Sequence, residues 1–464
     1  VIVKAREALP AFRAKEAKRV GDEEELAVEE LVYFIERLSG AKMPVVRPAE
    51  DAEMPAGPKL LLGAGLARRY GLGEALDELH RDGFMIKPVG EDLVVGGQRA
   101  RGTLYAVYAL LESFGCRWVM PGPAGEIVPA FKNLSFDGER TENPSHDQRF
   151  WWPTFGAGDE FPRWTLRNKG NFVRALGDSK IEQSHALGNA LQWGARNMKQ
   201  GIAYRKMAWS FRDAEGQVFR GPDGKPERRR IEVDAWKLPD EYHALHNGEA
   251  VHHTPNMSNP KVWDLYADYY IHMFSEKRPF SDYTSISAED GLVLDDRQES
   301  RELLSGEYDW TMGKVSATDQ LWFFHNRCIE RVEKTFPDRK YGVLVYANNT
   351  MPPRVQPIHP NMALIMAPLG ICPLHHVRDP KCKTNRAYRE WFLAWMGHAE
   401  AVGAESYYYD YDPLGFQWND FMICPQWPII AKNYPWFHEN GLDGHTTQGH
   451  DNWGSAGINH WLMI

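Results

Sequence analysis

Cysteine is scarce in this chain of 464 residues, and so is every feature that would commit it to a membrane or a polyanion. The five cysteines, Cys116, Cys328, Cys372, Cys382 and Cys424, are odd in number and scattered. They fit neither a disulfide framework nor a CxxC zinc site. Cys372 and Cys382 enclose His375, His376 and Asp379, a set with metal-ligating chemistry. A structured loop, with or without one disulfide, is the plainer reading, and no metal or organic cofactor is expected. No stretch reaches the ~18 apolar residues that a membrane span requires. The net charge is −9, whereas nucleic-acid binding needs a concentrated basic face. Glu227 breaks the one dense basic run, Lys225 to Arg230, which reads as a solvated hairpin tip. Gly-rich phosphate loops, a Walker motif and a GxSxG nucleophile elbow are also missing, which argues against nucleotide chemistry and an α/β-hydrolase.

Aromatic residues, by contrast, are plentiful. Trp 17, Tyr 19 and Phe 21 make up 12% of the chain, and many flank turns. Flat rings with polar tips suit stacking against the C–H faces of sugars, although a rich core would also use them. Tryptophans beside Gly, Asn and Asp, as in Trp418-Asn419-Asp420 and Asn452-Trp453-Gly454, favour a wet cleft.

The length predicts two domains. Residues 1–125 read as a small α/β unit and residues 126–148 as a linker. Glu23 to Leu38 carries a helical period closed by Gly40, and Lys59 to Gly63 is a short buried strand. Gly83–Lys87 and Asp92–Gly96 form a hairpin, and Arg101–Glu112 a second helix. Residues 149–464 alternate strand and helix signals. Candidate strands are Arg149–Trp152, Asn171–Leu176, Lys206–Phe211, Tyr283–Ser287, Tyr341–Ala347, Ala363–Met366, Glu405–Tyr409 and Leu442–Thr446. Lys261–Phe274, Ser316–Thr335 and Thr384–Ala401 are helices between them. Eight such units predict a (β/α)8 TIM-like barrel behind the small α/β domain. The long gap after the third strand holds Gly221-Pro222-Asp223-Gly224 and predicts an inserted hairpin. The chain opens on Val1 without a Met, as a mature secreted, periplasmic or cell-surface protein would after losing a signal peptide. It stops in an apolar helical start, Ile458 to Ile464, as a short or truncated last barrel helix would.

In such barrels the reactive groups sit at the C-terminal ends of the strands. Those positions hold Glu289 and Asp290, Asn348, Tyr408 and Asp410, and the turn His445 to Asp451, with Ser184-His185 between the second and third strands. Carboxylates recur there, as glycosidic cleavage demands: one acid protonates the leaving oxygen, and a second group stabilises or attacks the developing cation. Glu289 and Asp290 also suit substrate-assisted cleavage, one orienting a 2-acetamido group and the other donating the proton. A helix-capping role is the structural alternative for either.

Gly83-Phe84, Gly96-Gly97, Arg101 to Tyr108, Leu111-Glu112, Gly115 to Trp118 and Pro121-Gly122 together resemble the accessory domain that precedes the barrel in α-glucuronidases and β-hexosaminidases. The rest of the chain resembles the barrel of glycoside hydrolase family 163, catalogued also as domain of unknown function 4838. The residues carrying this likeness are Ser184-His185, Pro239 to Leu245, Ser258 to Val262, Ser285 to Gly291, Cys372 through Asn385, Tyr408 to Asp412 and Gly441 to Gly444. The resemblance implies endo-β-N-acetylglucosaminidase activity on complex N-glycans, with retention assisted by the substrate's acetamide. Asp290 matches the family's acidic residue before the glycine, whereas relatives more often carry a small polar residue at the position of Glu289. Relatives also show an acid where Gln448-Gly449 stands.

The expected function is therefore hydrolysis of a glycan containing N-acetylhexosamine, with an oligosaccharide or glycoprotein glycan as partner. Asp290 and Glu289 are the expected catalytic pair. His185, Asn348, Tyr408 and Asp410 are expected to hold the sugar, and Trp152, Trp209, Trp418 and Trp453 to line subsites. One alternative is an exo-acting or uronic-acid-directed hydrolase, for which Arg174 is the nearest cation. Another is an inactive glycan-binding barrel, which the neutral Gln448 would suit.

Overall fold

The computed structural model describes residues 1–4, 23–48, 53–152, 160–171, 184–213, 215–279, 281–411, 426–448 and 453–463. They form two compact units. One comprises residues 1–179, 371–389 and 407–464, the other residues 180–370 and 390–406.

The first unit is built on a mixed sheet in the strand order Val45–Val46, Ile2–Lys4, Leu60–Leu62, Asp92–Gly97, Phe84–Val89, Arg140–Glu142. Its strands alternate between two apolar faces, as the two-residue period requires. Ile2, Leu62, Phe84, Ile86 and Val95 face the long helices Glu23–Ser39 and Ala100–Ser113. Val3, Leu61, Met85 and Val94 face Leu66, Leu76 and Leu79 on the other side. The expected strand, hairpin and both helices are therefore present. Arg140–Glu142, inside the stretch expected as a linker, adds an antiparallel strand to Phe84–Val89.

Two glycines set how closely the second helix approaches this sheet. A Cβ on Gly97 would lie 2.3 Å from the Gly102 carbonyl carbon, and one on Gly102 would lie 2.4 Å from the Gly83 oxygen. Both obstacles are backbone, so no rotamer relieves them. Gly102→Ala is expected to destabilise the first unit by about 3 kcal/mol, read as a lower midpoint in thermal unfolding.

The same unit holds residues 407–410 of the strand Glu405–Asp410, then Gly444–Gln448 and Gln148–Trp152, paired in parallel in that order. The second unit holds three more: Tyr283–Ser285, Lys340–Val345 and Met362–Met366. Val343, Val345, Leu364 and Met366 are buried, and Pro260–His272 and Thr318–Val332 supply Tyr266 and Phe324, whose rings meet at 4.8 Å.

Six of the eight expected barrel strands are therefore parallel strands, and a closed (β/α)8 barrel is not what the described residues form. Asn171–Leu176 lies, beyond Asn171, outside the described residues. Lys206–Phe211 is corrected: Ile202–Ser210 pairs antiparallel with Arg229–Lys237, from Ile202↔Lys237 to Ser210↔Arg229. The expected inserted hairpin exists, but it has taken the third candidate strand with it. Its long alternating arms satisfy each other's backbone groups, so neither needs a parallel neighbour. Lys225 to Arg230 falls at its solvated end. Among the described residues no helix is long and apolar enough to cross a membrane.

Candidate functional site

In the second unit the loop that follows Tyr283–Ser285 is built by polar side chains folding back on the backbone. Ser287 is fully buried. Its hydroxyl accepts the Leu344 N–H at 3.0 Å, and its carbonyl accepts the N–H groups of Ala186 and Leu187, both at 3.0 Å. Ser285 donates to the Ser184 carbonyl at 2.5 Å. These bonds dock residues 184–188 against the end of the strand. They also fix the start of the helix Leu187–Asn197 beside it. Tyr266 completes the anchor by donating to the Leu187 carbonyl at 2.5 Å. Burial pushes its hydroxyl well above the ordinary phenol range, which keeps the donor protonated.

His185, Glu289, Asp290 and Asn348, four of the residues singled out above, meet here. His185 Nδ1 lies 2.5 Å from the Ala288 carbonyl oxygen, and Nε2 lies 3.1 Å from Asp290 Oδ1. A carbonyl only accepts, so Nδ1 carries a proton. The other ring nitrogen, Nε2, is within hydrogen-bond reach of the Asp290 carboxyl, whose side chain is 77% exposed. Tyr346, which sequence reasoning passed over, places its ring 6.0 Å from that of His185. Its place at a strand end, two residues before Asn348, is the signal that would have found it.

Glu289 Oε1 accepts the Gly188 N–H at 3.2 Å, in the first turn of the helix Leu187–Asn197. That is the favourable place for a carboxylate beside a helix N-terminus. A Cβ at Gly188 would come within 3.3 Å of the same oxygen, so the glycine lets the carboxyl approach. Asn348 is buried and spends its amide on one neighbour: it donates to the Leu292 carbonyl at 2.7 Å and accepts the Leu292 N–H at 3.0 Å. Ala347, with φ of 52°, turns the chain so that Asn348 faces that loop. Asn348 therefore braces the loop carrying Glu289 and Asp290. Asn348→Ala would strand both Leu292 groups and is expected to cost about 2–3 kcal/mol, with faster hydrogen exchange at the Leu292 amide. Asp295, also buried, is spent on structure: it accepts from Leu245 N–H, Ser300 and Arg297 at 2.8–3.0 Å.

The remaining candidates fall elsewhere. In the first unit Tyr408 is buried with its ring stacked on Phe437 at 4.5 Å, and Asp410 accepts from the Tyr434 hydroxyl at 3.1 Å. Trp209 lies on the hairpin of the second unit and is 60% exposed. Trp152 belongs to a described strand, but its side chain and that of Trp453 lie outside the described residues, as does the whole of Trp418. Arg174 and the Gln448 side chain lie outside them too. The first unit also contains a cavity of about 410 Å³ that none of the sequence candidates among the described residues lines. Asp82, Arg149, Glu112 and Lys169 line it as two ion pairs, of 2.9 and 2.6 Å, beside Tyr105 and Trp461.

Several solved structures resemble the chain. One is a GH138 enzyme targeting pectin rhamnogalacturonan II, at 10% identity and a TM-score of 0.45, covering 96% of this chain and 57% of that one. Another is a β-N-acetylhexosaminidase from Bacteroides fragilis, at 12% identity and a TM-score of 0.43, covering 97% and 81%. A third is an inactive mutant of a GH20 exo-β-N-acetylglucosaminidase from Vibrio harveyi, at 9% identity and a TM-score of 0.39, covering 96% and 65%. The chain thus spans under two thirds of the first and third of these proteins. No curated protein sequence matches it. A family profile does match, over residues 122–464, and the chain accordingly belongs to the family described as Domain of unknown function (DUF4838).

Proposed function

We propose that the protein is a glycoside hydrolase that cleaves a glycan containing N-acetylhexosamine, with Asp290 as the proton donor and Glu289 as the group that orients the acetamide. The observation that carries this reading is the His185–Asp290 contact of 3.1 Å, which sets an imidazole against an exposed carboxyl next in sequence to a second one. Protonating a leaving oxygen and steadying the charge that develops on the sugar are the two tasks of glycosidic cleavage. Asp290 gives its proton to the glycosidic oxygen as the bond to C1 breaks. Glu289, steadied through Oε1 by Gly188, accepts a hydrogen bond from the acetamide N–H, so that the acetamide oxygen bonds to C1. Water then opens the resulting ring, and its proton returns to Asp290. His185 keeps the Asp290 carboxyl aimed through both transfers. The resemblance to glycoside hydrolase family 163 supports an endo-acting enzyme on complex N-glycans, and an extracellular or periplasmic setting suits that substrate.

Incubation with a complex-type N-glycoprotein and a panel of chromogenic glycosides, with products read by mass, tests the proposal. A released oligosaccharide is expected. A released monosaccharide would replace the endo reading with an exo one, and glycan binding without any product would overturn the assignment as a hydrolase.

A further inference from the structure

We propose that Cys372, His375 and Cys382 form a binding site for one thiophilic divalent cation, zinc above all, that fastens the loop leading into the helix Lys383–Val402. The sulfur of Cys372, a ring nitrogen of His375 and the sulfur of Cys382 all lie within 4.8 Å of one another. Cys372 Sγ is 3.2 Å from His375 Nδ1. A tetrahedral zinc ion with two thiolates and an imidazole separates such donor atoms by roughly 3.5–4 Å, so small side-chain rotations suffice. Both cysteines are free thiols, which replaces the disulfide allowed for this loop from sequence.

The backbone is already shaped for the task. Asn385, fully buried, accepts the Cys372 N–H at 2.8 Å and donates to the carbonyls of Cys372 and His375 at 3.1 and 2.7 Å. Its own N–H points at Cys382 Sγ, 3.4 Å away. One amide thus fixes the turn that carries two of the ligands, and its backbone supports the sulfur of the third. Outer groups that orient ligands in this way are the usual companions of a metal site. Two sulfurs and one imidazole select zinc and similar ions over magnesium or calcium, whose ligands are oxygens. Water would take the fourth position. The site belongs to the first unit, and it is assigned to the loop it fastens.

The test uses the full chain, purified under reducing conditions without chelator, and titrated with Zn2+ or with Co2+ as a spectroscopic probe. One ion per chain and a thiolate-to-cobalt charge-transfer band are expected. His375→Ala, at an exposed residue whose loss should not disturb folding, is expected to weaken Zn2+ binding at least about tenfold, and Cys372→Ser to remove the band. Less than one equivalent bound, a Cys372–Cys382 disulfide in the non-reduced protein, or unchanged affinity in His375→Ala would each overturn the proposal. None of these readouts depends on glycan hydrolysis, so failure of the site and failure of the proposed function are separable.

Discussion

Asp290→Asn is expected to lower kcat on a cleavable glycan about 1,000-fold, because positioned general acids contribute roughly 10²- to 10⁴-fold. KM and the melting temperature should barely change. The Asp290 side chain is 77% exposed, so its replacement leaves no buried group stranded. The asparagine amide can still donate to His185 Nε2, whose ring stays tied to the Ala288 carbonyl. What disappears is the ability to hand a proton to the leaving oxygen and take one back from water. Substrates with a good leaving group, which need less protonation, should suffer less than natural glycans. Loss of less than about tenfold on a natural glycan would remove Asp290 from the role of acid.

The folded protein is also expected to lose stability steeply as the pH falls from 7 to 5. In the first unit burial, followed by neighbouring positive groups, lowers His146 to about 4 and His445 to about 3. In the second unit burial, helped by His252, lowers His243 to about 4, and burial alone lowers His325 to about 3. Above pH 6.5 each ring is neutral both folded and unfolded, so pH has no leverage through it. Below 6.5 the unfolded chain takes up a proton that the folded chain refuses, so stability falls as pH falls. The loss is complete once the pH passes below the folded value. Each histidine costs about 1.4 kcal/mol per pH unit in that window, on the order of 2 kcal/mol by pH 5. Two such residues in each unit make the effect visible in both. Thermal unfolding at pH 7, 6 and 5 should show midpoints that drop progressively, and His325→Gln should flatten the curve for the second unit. A midpoint that holds or rises toward pH 5 would contradict the burial of these rings as neutral groups.

Much of the first unit was legible because its sequence states its own geometry. Phe84-Met85-Ile86 alternates between two apolar faces, and Leu26, Leu31, Phe34, Ile35 and Leu38 recur at helical spacing. Packing the helix on one face of the sheet buries both patterns. Lys206–Phe211 was misplaced for the same reason that it was found: alternation marks a strand but does not name its partner. That partner, Arg229–Lys237, lies beyond the Gly221–Gly224 turn. The strand-end rule brought His185, Glu289, Asp290 and Asn348 onto the short list, and the fold gathers these four. Their division of labour was not legible. That Glu289 leans on Gly188, and that Asn348 clamps Leu292, depends on the bonds by which the Ser285 and Ser287 hydroxyls hold Ser184 and Leu344, partners far away in sequence. Tyr408 shows the converse: a tyrosine beside an acid suggests a sugar contact, yet its ring is stacked in the core on Phe437.

A crystal structure of Asp290→Asn with a bound oligosaccharide containing N-acetylglucosamine would test the division of work between the two carboxyls most directly. The expected complex has the glycosidic oxygen about 3 Å from the side chain at position 290 and the acetamide nitrogen about 3 Å from Glu289, within hydrogen-bond reach. A sugar bound away from this loop, or one whose acetamide points away from Glu289, would contradict it.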